Sequence, residues 1–348
     1  MNKNLTRRKF IRYTTNTTLG MGLFGSLPKA YANKTAANTL KRIGIIGLDT
    51  SHSIAFAKAI NGPDPSPAYN GFTITAAYPR GSADIESSVK RIAGYTEEIK
   101  KLGIEIAVSI EALLDKCDFV LLETNDGRPH RQQALQVIAS GKTLFIDKPV
   151  AGSLTDAIAI YEAAKKNKVP VFSSSSLRYM ESVQEVLTGK IGKVLGADTF
   201  SPAILEKTHP DLFWYGIHGV EILMAVMGTG CKEVVRVHTA DTDIVVGTWQ
   251  DGRTGTFRGT RTGTHDYGGT VYGEKGNQVL GPFKGYDNLL VQIIGFFNSG
   301  ISPVSAEETL EIYTFMEAAD ESKRLGGKAV LLKDVYNKSL DLLKSGKN

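Results

Sequence analysis

Short apolar runs along the chain alternate with stretches whose apolar residues recur every three or four positions. Arg42-Ile43-Gly44-Ile45-Ile46 is nearly continuous in apolar character, as a strand buried on both faces requires. Ile54, Phe56, Ala57 and Ile60 then share one face of a helix over 53–60. The same alternation repeats. Residues 72–77 predict a strand, and 85–102 a helix closed by Gly103. A short strand at 104–108 precedes a helix capped by Ser109 and running to Asp115. Residues 118–123 and 143–146 are further buried strands, flanking a helix that Pro129 opens and Gly141 stops. A crossover helix at 153–168 and a strand at 169–173 follow. Strands alternating with helices predict an α/β unit with a doubly wound parallel sheet.

The pattern changes in the second half. Residues 234–238, 244–249, 254–259, 269–272 and 278–280 alternate in hydrophobicity and are rich in Thr and Val. Turns at Asp251-Gly252 and Glu274-Lys275-Gly276 join them as antiparallel hairpins. Residues 289–298 and 306–324 predict two helices.

The amino terminus is an address. Thr6-Arg7-Arg8-Lys9-Phe10 is a twin-arginine motif, followed by a Gly- and Thr-rich tract and by Ala30-Tyr31-Ala32 at the cleavage positions. Residues 1–32 therefore read as a signal peptide. The tract is too short and polar for a membrane span, and no stable membrane anchor is expected. The expected partner is the twin-arginine export machinery, and the expected location is the periplasm, or outside the cell. Of 41 basic residues the signal holds six and no acid, leaving 35 against 36 acids. The mature chain is thus near neutral, with no basic excess to bind nucleic acid.

The first strand runs into Gly47-Leu48-Asp49-Thr50-Ser51-His52. Strand, tight turn and helix open a dinucleotide-binding unit, whose pyrophosphate sits on the helix N-terminus. Of the pattern G-x-G-x-x-G only Gly47 is present. Asp49 stands where backbone must approach phosphate, and His52 where helix packs on strand. Two readings of this turn stay open. Asp49, Thr50 or Ser51 caps the helix, with His52 in its first turn; or Asp49 and His52 point into a site at the strand's carboxyl end. After the second strand, Tyr78-Pro79-Arg80-Gly81-Ser82 lacks the acid that would hold an NAD ribose. Arg80 and Ser82 either meet the 2′-phosphate of NADP or form a solvated turn. The polar loop from Glu123 to His130 lies at the sheet edge where such folds place ligands. No His, Cys and carboxylate group shows a metal-ligand spacing, so no metal is expected. Cys117 and Cys231 read as small buried apolar residues.

Asp147-Lys148-Pro149 is similar to the Glu-Lys-Pro marker of the Gfo/Idh/MocA family, which includes glucose–fructose oxidoreductase and inositol dehydrogenase. Thr124-Asn125-Asp126-Gly127-Arg128-Pro129-His130 is similar to that family's Thr-Pro-Asn-x-x-His loop. Trp214-Tyr215-Gly216-Ile217-His218-Gly219-Val220-Glu221 is similar to Asp-x-Gly-x-His-x-x-Asp, with Trp214 and Glu221 in place of the two Asp residues. Arg178-Tyr179 matches the family's Arg-Phe/Tyr pair in position. The resemblance covers the mature chain. It implies a Rossmann-like NAD(P)-binding domain over 40–150, and over 151–340 an α+β substrate domain with an open, mostly antiparallel sheet.

The resemblance also implies roles. Lys148 polarises the reacting oxygen, His218 is general acid/base, and Glu221, at i+3 on the same helix face, orients it. Gly47, Leu48, Asp49, Thr50, Ser51, His52, Arg80, Thr124, Asn125 and Lys148 fall at nucleotide-contacting positions. Arg178, Tyr179 and Trp214 fall at substrate-contacting ones, although Arg178 also reads as a helix-start residue pairing with Glu181. The carboxy-terminal sheet often serves as a subunit interface in the family, which implies a homo-oligomer. The expected function is a periplasmic oxidoreductase acting on a small carbohydrate or polyol with tightly bound NAD or NADP. Two alternatives stay open: an NAD-dependent glycosidase, and a redox-silent relative that has lost the nucleotide and binds carbohydrate or acts as a lyase or hydrolase.

Overall fold

The computed structural model describes residues 40–346. The signal-peptide reading falls outside them. The amino-terminal half builds a six-stranded parallel sheet from β1 (Lys41–Ile46), β2 (Phe72–Tyr78), β3 (Glu105–Ile106), β4 (Phe119–Leu122), β5 (Thr143–Ile146) and β6 (Val171–Ser173). The strand order is β3-β2-β1-β4-β5-β6. This is the dinucleotide-binding order, with the switch point between β1 and β4.

Both faces of this sheet are covered. On one, α1 (Ser51–Asn61) and α2 (Glu86–Lys101) follow β1 and β2. On the other, α3 (Ile110–Leu114), α4 (His130–Ala139) and α5 (Leu154–Asn167) bury Leu113, Val137 and Ile158 against Ile46, Val120 and Leu122. Ile43, Gly44, Ile45 and Ile46 are all buried, which explains their unbroken apolar run.

After α6 (Glu181–Leu187), the chain enters a seven-stranded sheet. It contains β7 (Val194–Pro202), β8 (Cys231–His238), β9 (Thr242–Trp249), β10 (Thr254–Thr260), β11 (Gly268–Gly273), β12 (Gly276–Leu280) and β13 (Val330–Leu331). The order is β12-β11-β7-β10-β9-β8-β13, antiparallel except for the β7–β10 pair. The sequence reading missed β7, whose alternating VLGADTFS carried a usable signal. The helices α7 (Ile217–Met227) and α9 (Ala306–Arg324) cover one face. The other carries exposed Phe200, Val237, Tyr272 and Val279. Helix α8 (Asp287–Ser299) returns to the parallel sheet, where Phe297 stacks on Phe119 at 4.9 Å. The last helix is α10 (Leu332–Ser345). Among the described residues no helix is long and apolar enough to cross a membrane.

Candidate active site

Register builds the floor of the cleft. Ile46 pairs with Leu122, and Leu122 with Ile146. The residues one step beyond, Gly47, Glu123 and Asp147, therefore emerge side by side at the carboxyl edge. Two backbone bonds continue the ladder there: Glu123 N–H to the Ile46 carbonyl at 2.7 Å, and Asp147 N–H to the Leu122 carbonyl at 2.8 Å. Gly47 takes φ +93°, and a Cβ there would lie 2.5 Å from the Thr124 nitrogen. That turn starts α1 at the switch point. Thr50 is the cap: its hydroxyl accepts the Ser53 N–H, at 3.4 Å.

His52, in the first turn of α1, reaches down to Asp147, with Nδ1 2.8 Å from Oδ2, and packs edge-on against Tyr286. Thr50, His52, Asn125, Asp147, Lys148 and His218 line a common cavity. Of the two readings of the turn, His52 follows the one aimed into a site. The metal-free expectation rested on local spacing. The fold brings His52, Glu123 and Asp147 together from three separate strand ends, a convergence that spacing cannot reveal.

Lys148 and His218 meet in this cavity, as the resemblance implies. The Lys148 ammonium lies over the Tyr215 ring, 5.6 Å from its centroid, and burial pulls its pKa below the usual lysine value. His218 is held well below its ordinary pKa by burial, then by Lys148 and His52 nearby, so its imidazole is neutral. Its Nδ1 shares a 2.7 Å hydrogen bond with the Ser175 hydroxyl, which leaves Nε2 for a substrate proton.

The role given to Glu221 needs correction. Its carboxylate accepts the Ser174 hydroxyl, the Ser175 N–H at 2.7 Å and Arg178 Nε at 3.0 Å. Glu221 thus positions the segment that carries Ser175, and Ser175 touches His218. Arg178 is spent in the same network. Buried, it pairs with Glu221 and with Glu308 at 2.6 Å, and not with Glu181. Tyr179 and Trp214 lie outside the cavity lining; Trp214 packs on His209 at 5.0 Å. Leu48 is core, and Arg80 is exposed. Ser51 lines the cavity rim and lies 3.3 Å from the Tyr286 hydroxyl. The Thr124 carbonyl bonds His130 Nε2, and its hydroxyl bonds Gln133.

Asp49 does something the sequence did not suggest. Fully buried, its carboxylate accepts the N–H of Asn125 at 3.0 Å and of Ser82 at 3.3 Å. It ties the first turn to the loops after β2 and β4. A Cβ on residue 81 would sit 2.1 Å from Asp49 Oδ2, so Gly81 is the residue that admits this carboxylate. A second bridge lies alongside. Arg128 Nε contacts Asp126 at 3.0 Å, and its Nη1 contacts Asp84 at 3.0 Å.

An NAD-binding fold lays ribose and pyrophosphate between the end of β2 and the first turn. In this arrangement the Asp49 and Arg128 bridges join those same segments. The α1 N-terminus, Asn125 and Lys148 border open cavity.

Comparison with known proteins agrees with this fold. Residues 41–175 match the model of an oxidoreductase family with an NAD-binding Rossmann fold. An uncharacterized oxidoreductase of Streptococcus pneumoniae is 25% identical over 154 residues, 39% of this chain and 41% of the relative. The match therefore spans less than half of that relative. A myo-inositol 2-dehydrogenase from Lactobacillus plantarum superposes with TM-score 0.66 at 16% identity, over 84% of this chain and 99% of that one. An oxidoreductase from Agrobacterium radiobacter, solved with NAD+, L-tartaric acid and magnesium, gives TM-score 0.67 at 17% identity, over 85% and 99%. At such identities the likeness concerns the fold. Together with the strand order, the match makes residues 41–175 similar to the NAD-binding Rossmann unit of that oxidoreductase family.

Proposed function

We propose that the chain is an exported oxidoreductase that acts on a hydroxyl of a sugar or polyol in the cavity shared by Lys148 and His218. The observation that carries this reading is that pair: a buried ammonium and a neutral imidazole facing one cavity at the carboxyl edge of a dinucleotide-binding sheet. Lys148 stabilises negative charge developing on the substrate oxygen. His218 takes the hydroxyl proton at Nε2, and the direction of the Ser175 hydrogen bond sets which tautomer meets the substrate. NAD(P), when bound, supplies hydride transfer. Asn125, Lys148 and the α1 N-terminus are the groups that would hold its nicotinamide end. Displacement of the Asp49 bridge would admit the rest.

A second reading is favoured by that same bridge. With Asp49 bridging the first turn to the loops after β2 and β4, the Lys148–His218 pair would serve an elimination or hydrolysis on a carbohydrate. Mass spectrometry of small molecules released from the denatured mature protein separates the two. Stoichiometric NAD or NADP supports the first. A protein that carries none and binds none when it is added supports the second.

A further inference from the structure

His52, Glu123 and Asp147 meet at the cleft floor with their bonding capacity unspent. Each offers one ligand atom, and these atoms all lie within 4.8 Å of one another. Glu123 and Asp147 are wholly buried, and His52 nearly so. Both Glu123 oxygens and Asp147 Oδ2 lack a hydrogen-bond partner. His52 Nδ1 approaches Asp147 Oδ2 to 2.8 Å, yet without hydrogen-bond alignment. Buried carboxylate oxygens left bare are costly, on the order of 1–3 kcal/mol each or more for charged groups. One proton shared between the two acids satisfies one contact and leaves the remaining lone pairs bare. Lys148 does not cover them, since its ammonium is turned to the Tyr215 ring.

We propose that His52, Glu123 and Asp147 bind one divalent cation of the Mn2+ or Zn2+ type. Two carboxylates balance its charge. One imidazole with two carboxylates is a mixed N,O donor set that suits these ions, whereas Mg2+ and Ca2+ favour oxygen alone. The set is held by structure. Glu123 and Asp147 are fixed by the continued strand ladder, and His52 by the first turn of α1. Three protein ligands leave a position open, and His52 and Asp147 both line the cavity that contains Lys148 and His218. A substrate oxygen in that position is polarised by the cation from one side and by Lys148 from the other. This inference rests on the three-residue cluster alone and holds with or without a bound nucleotide.

The test is metal content together with titration. The mature wild-type protein, prepared with Mn2+ or Zn2+ in the medium, should carry about one equivalent by elemental mass spectrometry. After chelation, Mn2+ added back should lose its free-ion electron paramagnetic resonance signal in a one-to-one titration and raise the thermal midpoint. Glu123→Gln and Asp147→Asn should weaken Mn2+ binding at least tenfold, with circular dichroism confirming that each variant is folded. Wild-type protein that retains no metal and binds neither Mn2+ nor Zn2+ at millimolar concentration overturns the proposal. So does undiminished binding by folded Glu123→Gln, which would place the ion elsewhere. Neither result depends on nucleotide release, so this site and the proposed function can fail separately.

Discussion

The Asp49 carboxylate accepts the backbone N–H of Asn125 at 3.0 Å, closing the first βα turn onto the loop after β4. Asp49 stands at the second glycine position of the dinucleotide fingerprint, where backbone approaches the pyrophosphate. Asp49→Gly removes both the charge and the bridge and restores the second glycine of the fingerprint. NAD(P) affinity, measured by isothermal titration, should rise at least tenfold, or about 1.4 kcal/mol. An unchanged or weaker affinity would mean that Asp49 does not obstruct the nucleotide. The same variant strands the Asn125 and Ser82 donors, so its thermal midpoint should fall.

Ser175, not Glu221, touches His218, and the two positions should separate experimentally. In Ser175→Ala the His218 titration, followed by NMR of the labelled imidazole, should move. In Glu221→Gln it should stay where it is in the wild type, while stability drops by roughly 3 kcal/mol as buried Arg178 loses one of its two carboxylates. A large shift of His218 in Glu221→Gln would restore Glu221 as its orienting group.

Burial lowers the pKa of both His218 and His130 below 6.5. The unfolded chain therefore binds more protons than the folded one below that pH, and stability rises with pH in this window and falls as pH drops beneath 6.5. Each histidine contributes a slope of at most about 1.4 kcal/mol per pH unit. Chemical denaturation from pH 7 down to pH 5 should show this loss, and His218→Gln should flatten the slope by up to one proton. An unchanged slope in that variant would contradict a neutral, buried His218.

Much of this architecture was legible in the sequence because it is written locally. The run of buried residues in β1 and the capped periodicity of α9 each specify their element within one continuous stretch of chain, and α9 spans the residues its pattern indicated. The pairing of Lys148 with His218 in one cavity followed from the family resemblance. What stayed hidden is carried by register. Glu123 and Asp147 become neighbours only because β4 and β5 pair Leu122 with Ile146, and His52 joins them across the switch point. Helical spacing suggested that Glu221 meets His218, but an i+3 relation brings side chains near without deciding which partner wins. The serine segment after β6 offered Glu221 stronger donors. Asp49 looked like a cap or a site residue because nothing local announces that residues 82 and 125 supply N–H groups to it.

The twin-arginine reading has its own test. Replacing Arg7 and Arg8 together with Lys keeps the charge and removes the guanidinium pair. The full-length protein should then stay in the cytoplasm at its uncleaved mass, whereas the wild type should appear outside it, shortened to begin at Asn33. Equal export of both forms would remove the basis for a periplasmic location.

The central claim is that Lys148 and His218 handle the proton of a hydroxyl whose hydride goes to NAD(P). It is tested most directly by single-turnover absorbance at the reduced-nicotinamide band, with mature protein, NAD or NADP, and a panel of sugars and polyols. Reduction with at least one substrate, slowed a hundredfold or more in both Lys148→Ala and His218→Gln, is the expected result. Absence of nicotinamide reduction across the panel, in wild type and in Asp49→Gly alike, would contradict the claim and leave the cavity to a reaction without hydride.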